Sequence, residues 1–206
     1  MTEIVPLTSG TWPALAALFS AGGDPKWCWC AFWRVRGLDW SNSSPESNRA
    51  LLRRLAGRRD IAPGLVAFRD GRAIGWVSLG PREDYERLAY SKVLAPIDDK
   101  PVWSIVCFVV ARTERRKGVA EALLGAAVDY ARDHGATLVE AYPIDPAGHR
   151  VESASAYTGT LSMFERAGFD VAAVRKAPGA KRPRSIVRRA IRRRPATRRR
   201  PASRSS

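Results

Sequence analysis

Arg115, Arg116 and Lys117 stand directly before Gly118 and the small Ala120, between the apolar run Val109-Val110-Ala111 and the segment Val119 to Ala127. In order, this reads as a buried strand, a short basic turn with one glycine, and an amphipathic helix. The arrangement suits a pyrophosphate. Backbone N–H groups at a helix start have no partner within the helix and lie at the positive end of its dipole, so they attract anions. Gly118 lets the backbone approach a ligand closely because no Cβ intervenes, and Ala120 extends that clearance. The adjoining cations add charge beside the same phosphates.

The flanking segments supply the elements that must position this turn. Ile4 to Leu7 reads as a first strand and Thr11 to Ala21 as a helix, with Thr11 at its cap and Pro13 in its first turn. Ser44 to Gly57 forms a second helix, opening Ser-Pro-Glu-Ser with Leu51, Leu52 and Leu55 on one stripe. Gly64 to Arg69 and Arg72 to Leu79 are strands around the hairpin pair Asp70-Gly71. Val102 to Ala111 is a long central strand. Val119 to His134 is the helix after the turn, with Val119, Leu123, Leu124, Ala127, Val128 and Ala131 facing the sheet and Gly135 as its stop. Thr137 to Tyr142 is a further strand, Ser155 to Ala167 a helix, and Phe169 to Arg175 and Ser185 to Ile191 the last strands. The result is one α/β domain over residues 1–191 with a mixed sheet, followed by a tail over residues 192–206.

Arg115-x-x-Gly118-x-Ala120 after an apolar strand resembles the acetyl-coenzyme A signature of the GNAT N-acetyltransferase superfamily, Gln/Arg-x-x-Gly-x-Gly/Ala. Met163-Phe164-Glu165-Arg166-Ala167-Gly168-Phe169 resembles that family's late helix, Tyr-Glu-x-x-Gly-Phe. The resemblance implies the GNAT fold: a mixed, mostly antiparallel sheet splayed at the central strand, with helices on both faces. It implies acetyl-CoA as cosubstrate, contacted by Phe108, Val109, Val110, Arg115, Arg116, Lys117, Gly118, Val119, Ala120, Tyr157 and Phe164. It also implies direct transfer, in which an amine attacks the thioester carbonyl and a freed backbone N–H among Phe108, Val109 and Val110 holds the oxyanion. A preorganised donor of this kind is typically worth about 3 kcal/mol, and alignment of the two substrates contributes at least as much.

One position departs from the family. Many members carry a tyrosine general acid where this chain has Phe164, which has no proton to give. Tyr157, further upstream, is the alternative acid, with a packing role as its other reading. A thiolate near the free-thiol pKa of about 8.5 also departs largely unprotonated. The candidate bases are Glu83 and Asp84, after the third strand, and Glu140, a carboxylate in the apolar run Val139 to Pro143 that needs a partner or a shifted pKa. The bland alternatives are a solvated loop charge for Glu83 and Asp84 and a structural salt bridge for Glu140. His149 falls in a polar loop, and His134 at a helix end suits a dipole contact better than a base.

Lys26 to Trp40 holds four of the seven tryptophans. In the family, this region flanks the acceptor amine. Trp27, Trp29, Trp33 and Tyr85 are therefore candidate substrate contacts, through cation–π attraction or as a lid packed on the core. Cys28-Trp29-Cys30 and Glu140-Ala141-Tyr142-Pro143 resemble segments in a group of bacterial family members. Cys28-x-Cys30 has the wrong spacing for zinc and no second ligand pair, so no metal is expected. Cys107 should be a buried small hydrophobe. Three cysteines and no leader pattern suit a reducing, cytoplasmic setting, and no apolar run reaches membrane-span length.

The net charge of +15 belongs mainly to the end of the chain. Val171 to Ser206 holds fourteen Lys and Arg and no Asp or Glu, which leaves 21 positive and 20 negative residues elsewhere. Arg192 to Ser206 has no apolar face and is expected to be disordered. It could grip nucleic acid through phosphate neutralisation or merely aid solubility. The leading function is an N-acetyltransferase acting on a primary amine; for an amine carried on RNA, deleting the tail should raise KM for that substrate without altering coenzyme binding. The alternative is a non-catalytic CoA-binding module whose tail binds nucleic acid. Dimers are common in the family, so a homodimer is also an expectation.

Overall fold

The computed structural model describes residues 2–23, 25–58, 60–145, 156–179 and 183–192. His149, Ser155 and the tail beyond Arg192 therefore lie outside the described residues. Seven strands form one sheet in the order β1-β2-β3-β4-β5-β7-β6: β1 (Glu3–Pro6), β2 (Gly64–Arg69), β3 (Arg72–Pro81), β4 (Trp103–Val110), β5 (Leu138–Ala141), β6 (Asp170–Arg175) and β7 (Arg184–Ala190). Every neighbouring pair is antiparallel except β4 with β5.

The helices are α1 (Trp12–Ser20), α2 (Pro25–Cys28), α3 (Gly37–Ser41), α4 (Pro45–Ala56), α5 (Glu86–Ala89), α6 (Val119–Asp133) and α7 (Leu161–Arg166). They cover both faces. On one face, α6 buries all of the apolar positions its periodicity predicts, against Val77, Ile105 and Val139. On the other, Leu15 and Phe19 of α1 meet Trp29 and Trp76. The local signals act as expected at α4, where the Ser44 and Ser47 side chains reciprocally accept each other's backbone N–H at 3.2 and 2.8 Å. Asp70 and Gly71 both adopt positive φ, 50° and 74°, as a tight hairpin turn requires.

Some expectations need correcting. The predicted helix from Ser155 to Ala167 is a 3₁₀ turn over Ala156–Thr158, a break, and then α7. The break falls at Gly159, whose φ is +79° and where a Cβ would stand 2.7 Å from Met163 Cε and 2.8 Å from Phe164 Cε2. Thr11 does precede α1, but its side chain accepts the Thr8 N–H at 2.9 Å and does not cap the helix. The short helices α2, α3 and α5 were not apparent from periodicity, because four or five residues show less than two turns.

Candidate active site

The basic turn is built as the sequence implies. Gly118 is the N-cap of α6, with φ +77° in the left-handed region, and a Cβ placed on it would meet nothing within 4 Å. Arg116 also has positive φ, 62°. Alternating hand along such a run turns successive N–H groups toward one concavity, which favours an anion. Arg115, Arg116, Lys117 and Gly118 are exposed, and Val119 buries its side chain while its N–H stays at the helix start. The turn is tethered from below: Glu114 pairs with Arg69 and lies 3.6 Å from Lys117, and Arg115 Nε donates to the Val110 carbonyl at 3.3 Å. These residues fit the phosphates of a coenzyme.

The central strand opens beside it. β4 pairs with β5 only from Trp103 to Ile105, opposite Val139 to Ala141, and Ile144 beyond β5 bridges to Thr160 instead. The register with β3 slips between Ser78 and Leu79, leaving Val106 as the extra residue. Ala111 N–H bonds Ile74 O at 2.9 Å, so the antiparallel alternation turns Val109 toward β3 and the N–H groups of Phe108 and Val110 into the gap.

Tyr157 stands at this opening. It is half-buried on the 3₁₀ turn before α7, with Arg184 nearby, and its phenol is held above the ordinary value chiefly by burial. Phe164, expected at the coenzyme, offers it no surface: it is fully buried between Phe108 and Phe169, with ring centroids 6.2 and 5.1 Å away. Its role is to support Phe108 from behind.

A cleft of about 810 Å³ lies next to Tyr157, walled by Phe32, Trp33, Arg36, Arg87, Tyr90 and Arg184 among others. Of the aromatic residues expected there, Trp33 is present and the rest are not. Trp29 is 3% exposed, stacked on Trp12 at 5.8 Å. Trp27 is exposed but leans on Trp40 at 5.0 Å, outside the cleft. Tyr85 is fully buried, with Arg34 donating to its hydroxyl at 3.2 Å, and burial pushes its pKa up to about 12. Between pH 10 and 12 the unfolded chain therefore releases a proton that the folded chain keeps, and stability falls by about 1.4 kcal/mol per unit for this phenol. In urea titrations across that range, Tyr85→Phe should show a shallower alkaline loss than the native chain.

The carboxylates are placed away from the cleft. Glu83 is exposed and outside it, and Asp84 lies 3.4 Å from Arg34 and 3.5 Å from Arg58. Glu140 is 1% exposed and fully engaged: Oε1 accepts from Arg82 at 2.6 Å and from Tyr142 at 2.7 Å, and Oε2 accepts from Arg188 Nε at 2.7 Å. Arg82 in turn donates to the carbonyl of Leu94, a cleft residue, at 2.5 Å. This geometry is a structural salt bridge that holds the cleft wall. His134 ends α6 with Nδ1 2.8 Å from Tyr130 O.

The cysteines are buried or partly so, with Cys30 Sγ 3.3 Å from Cys107 Sγ and accepting from Trp76 Nε1 at 3.2 Å. Among the described residues, no group of three His, Cys, Asp or Glu side chains could hold a metal, and no helix is long and apolar enough to cross a membrane. Sequence reasoning missed Phe32, Arg36, Tyr90, Arg87 and Arg184 as cleft residues. The aromatic cluster pointed to the region of Phe32 and Arg36, but nothing local links them to Arg184.

The family model of the acetyltransferase (GNAT) family matches residues 29–169. No curated protein matches the chain in sequence. Among solved structures, the fold is similar to a polyamine N-acetyltransferase from Drosophila melanogaster, at a TM-score of 0.58 and 13% identity over 93% of this chain and 100% of that one. It is also similar to a ribosomal-protein-alanine N-acetyltransferase from Brucella melitensis, at 0.54 and 20% over 92% and 99%. A third neighbour is the ribosomal-protein-S18-alanine N-acetyltransferase from Escherichia coli, at 0.51 and 15% over 95% and 97%. The family match over most of the chain, on a splayed mixed sheet with a glycine turn at the start of α6, places this protein in the acetyltransferase (GNAT) family.

Proposed function

We propose that the chain is an N-acetyltransferase moving an acetyl group from acetyl-CoA to a primary amine in a ternary complex. The observation that carries this reading is an open left-handed glycine turn at the start of α6, beside a central strand that no longer pairs with β5 beyond Ile105. Arg115, Arg116, Lys117 and the N–H groups of Gly118, Val119 and Ala120 hold the phosphates. The bound thioester supplies the acetyl group. The N–H groups of Phe108 and Val110 hold its carbonyl oxygen, an arrangement worth about 3 kcal/mol of barrier.

Tyr157 donates a proton to the departing sulfur. Its raised pKa keeps the phenol protonated through neutral pH, so it supplies what Phe164 cannot. Tyr157→Phe should lower kcat by about 10²-fold, the lower range for a lost general acid, while KM for acetyl-CoA changes by about twofold or less. No carboxylate lines the cleft among its described residues, so the amine reacts from its neutral fraction. The log of kcat/KM should then rise about one unit per pH unit up to the amine's own pKa, without an enzyme carboxylate limb.

The deciding assay follows free-thiol release from acetyl-CoA against a panel of primary amines. Amine-dependent release supports transfer. Coenzyme binding with no release for any amine would leave the non-catalytic module as the reading instead.

A further inference from the structure

The cleft carries a charge pattern unlike a general amine site. Arg36, Arg87 and Arg184 line it, and among its described lining residues there is no carboxylate. They come from separate segments: the residue before α3, α5, and the first residue of β7.

Neutral groups fix their positions. Arg87 donates Nε–H to Phe32 O at 2.6 Å and Nη2–H to Val35 O at 2.9 Å, with its guanidinium 4.0 Å from the Phe32 ring centroid. Arg36 lies 3.3 Å over the Tyr90 ring, and Arg184 lies near Tyr157 in the wall of the cleft. Arg36 also lies 3.7 Å from Glu86, which is half exposed. Partial burial lowers the Arg87 pKa, the mark of a cation short of solvent.

Guanidinium planes held by rings and carbonyls suit a planar or tetrahedral oxyanion. A polyamine entering the same cleft would meet repulsion. The coenzyme's own phosphates have their place elsewhere, because none of residues 115–120 lines the cleft.

We infer that the acceptor is a small primary amine that also carries an anionic group, a carboxylate or phosphonate, which Arg36, Arg87 and Arg184 bind while the amine faces Tyr157. This rests on the transferase reading above and narrows its substrate class.

The test compares matched acceptors on the full chain: β-alanine, its amide, 2-aminoethylphosphonate and 1,3-diaminopropane. kcat/KM is read by thiol release, and binding by calorimetry in the presence of CoA. The acids should exceed the amide at least tenfold in both readouts and exceed the diamine by more, and comparison of carboxylate with phosphonate identifies the preferred acid. In Arg87→Gln, and separately in the more exposed Arg36→Gln, the acid-to-amide ratio should fall toward one. Circular dichroism checks that each variant is folded.

Turnover in which amide or diamine matches the acids would overturn the anionic-acceptor inference and leave the transfer reading intact. Acid-selective binding without any turnover would do the reverse. Neither selectivity nor turnover would remove both.

Discussion

Gly118→Glu should abolish the rise in melting temperature that acetyl-CoA gives the native chain. At a hundred times its Kd, a ligand adds about 2.7 kcal/mol of stability. For a domain of this size that is a rise of roughly 5–10 °C. Gly118 is exposed, its φ is +77°, and a Cβ there meets nothing within 4 Å, so the turn has room for a side chain in the apo protein. A glutamate would place a carboxylate where the phosphates are held, against the anion preference of the helix start. The left-handed backbone costs a non-glycine residue about 1–2 kcal/mol, so the variant should fold with a modestly lower melting temperature. Gly118→Ala carries the same backbone cost without the charge and should keep part of the ligand shift. An unchanged shift in Gly118→Glu would show that the coenzyme does not use this turn.

Glu140→Leu should be the most destabilising single change in the sheet, at about 3–5 kcal/mol. Glu140 is 1% exposed, and both of its oxygens are engaged by arginines on different strands or loops, Arg82 and Arg188. Removing the carboxylate leaves those cations partly buried without their main counter-charge, and it frees the Arg82 fork that holds the Leu88 and Leu94 carbonyls at 3.3 and 2.5 Å. The expected fall in melting temperature is roughly 6–20 °C, with the urea midpoint lowered at constant m. Asp98→Asn removes a solvent-exposed partner of Arg188 and should lower the melting temperature far less than Glu140→Leu. A Glu140→Leu loss below about 1 kcal/mol, together with loss of an acidic limb from the pH–rate profile, would return Glu140 to the role of base.

Much of this molecule was legible because its signals are local. The stripe Val119, Leu123, Leu124, Ala127, Val128 and Ala131 has helical period, and all six side chains are buried. The basic turn could be read for the same reason: a strand end, a glycine and a helix start are consecutive in the chain, and the chemistry lies in their backbone. The resemblance to the family supplied the splay, and the loss of β4–β5 pairing after Ile105 is where that expectation meets the structure. The Phe164 substitution was equally plain in the sequence, since a phenylalanine has no acidic proton.

What the sequence by itself determined is therefore the family, the fold class and the basic glycine turn at the start of α6, all carried by residues adjacent in the chain. Tertiary structure decided the rest. Glu140 in an apolar run fits a base or a salt bridge equally well until Arg82 and Arg188 arrive from distant positions to occupy both oxygens. Trp29 and Trp33 share one aromatic segment, yet one stacks on Trp12 in the core while the other lines the cleft. Positive φ at Trp29 and Cys30 turns the chain between them, and that turn is held by Trp76 of β3, bonded to Cys30. The arginine cleft joins residues 36, 87 and 184. A charge pattern spread over that much chain has no sequence signature, because only folding brings its members within range of one ligand.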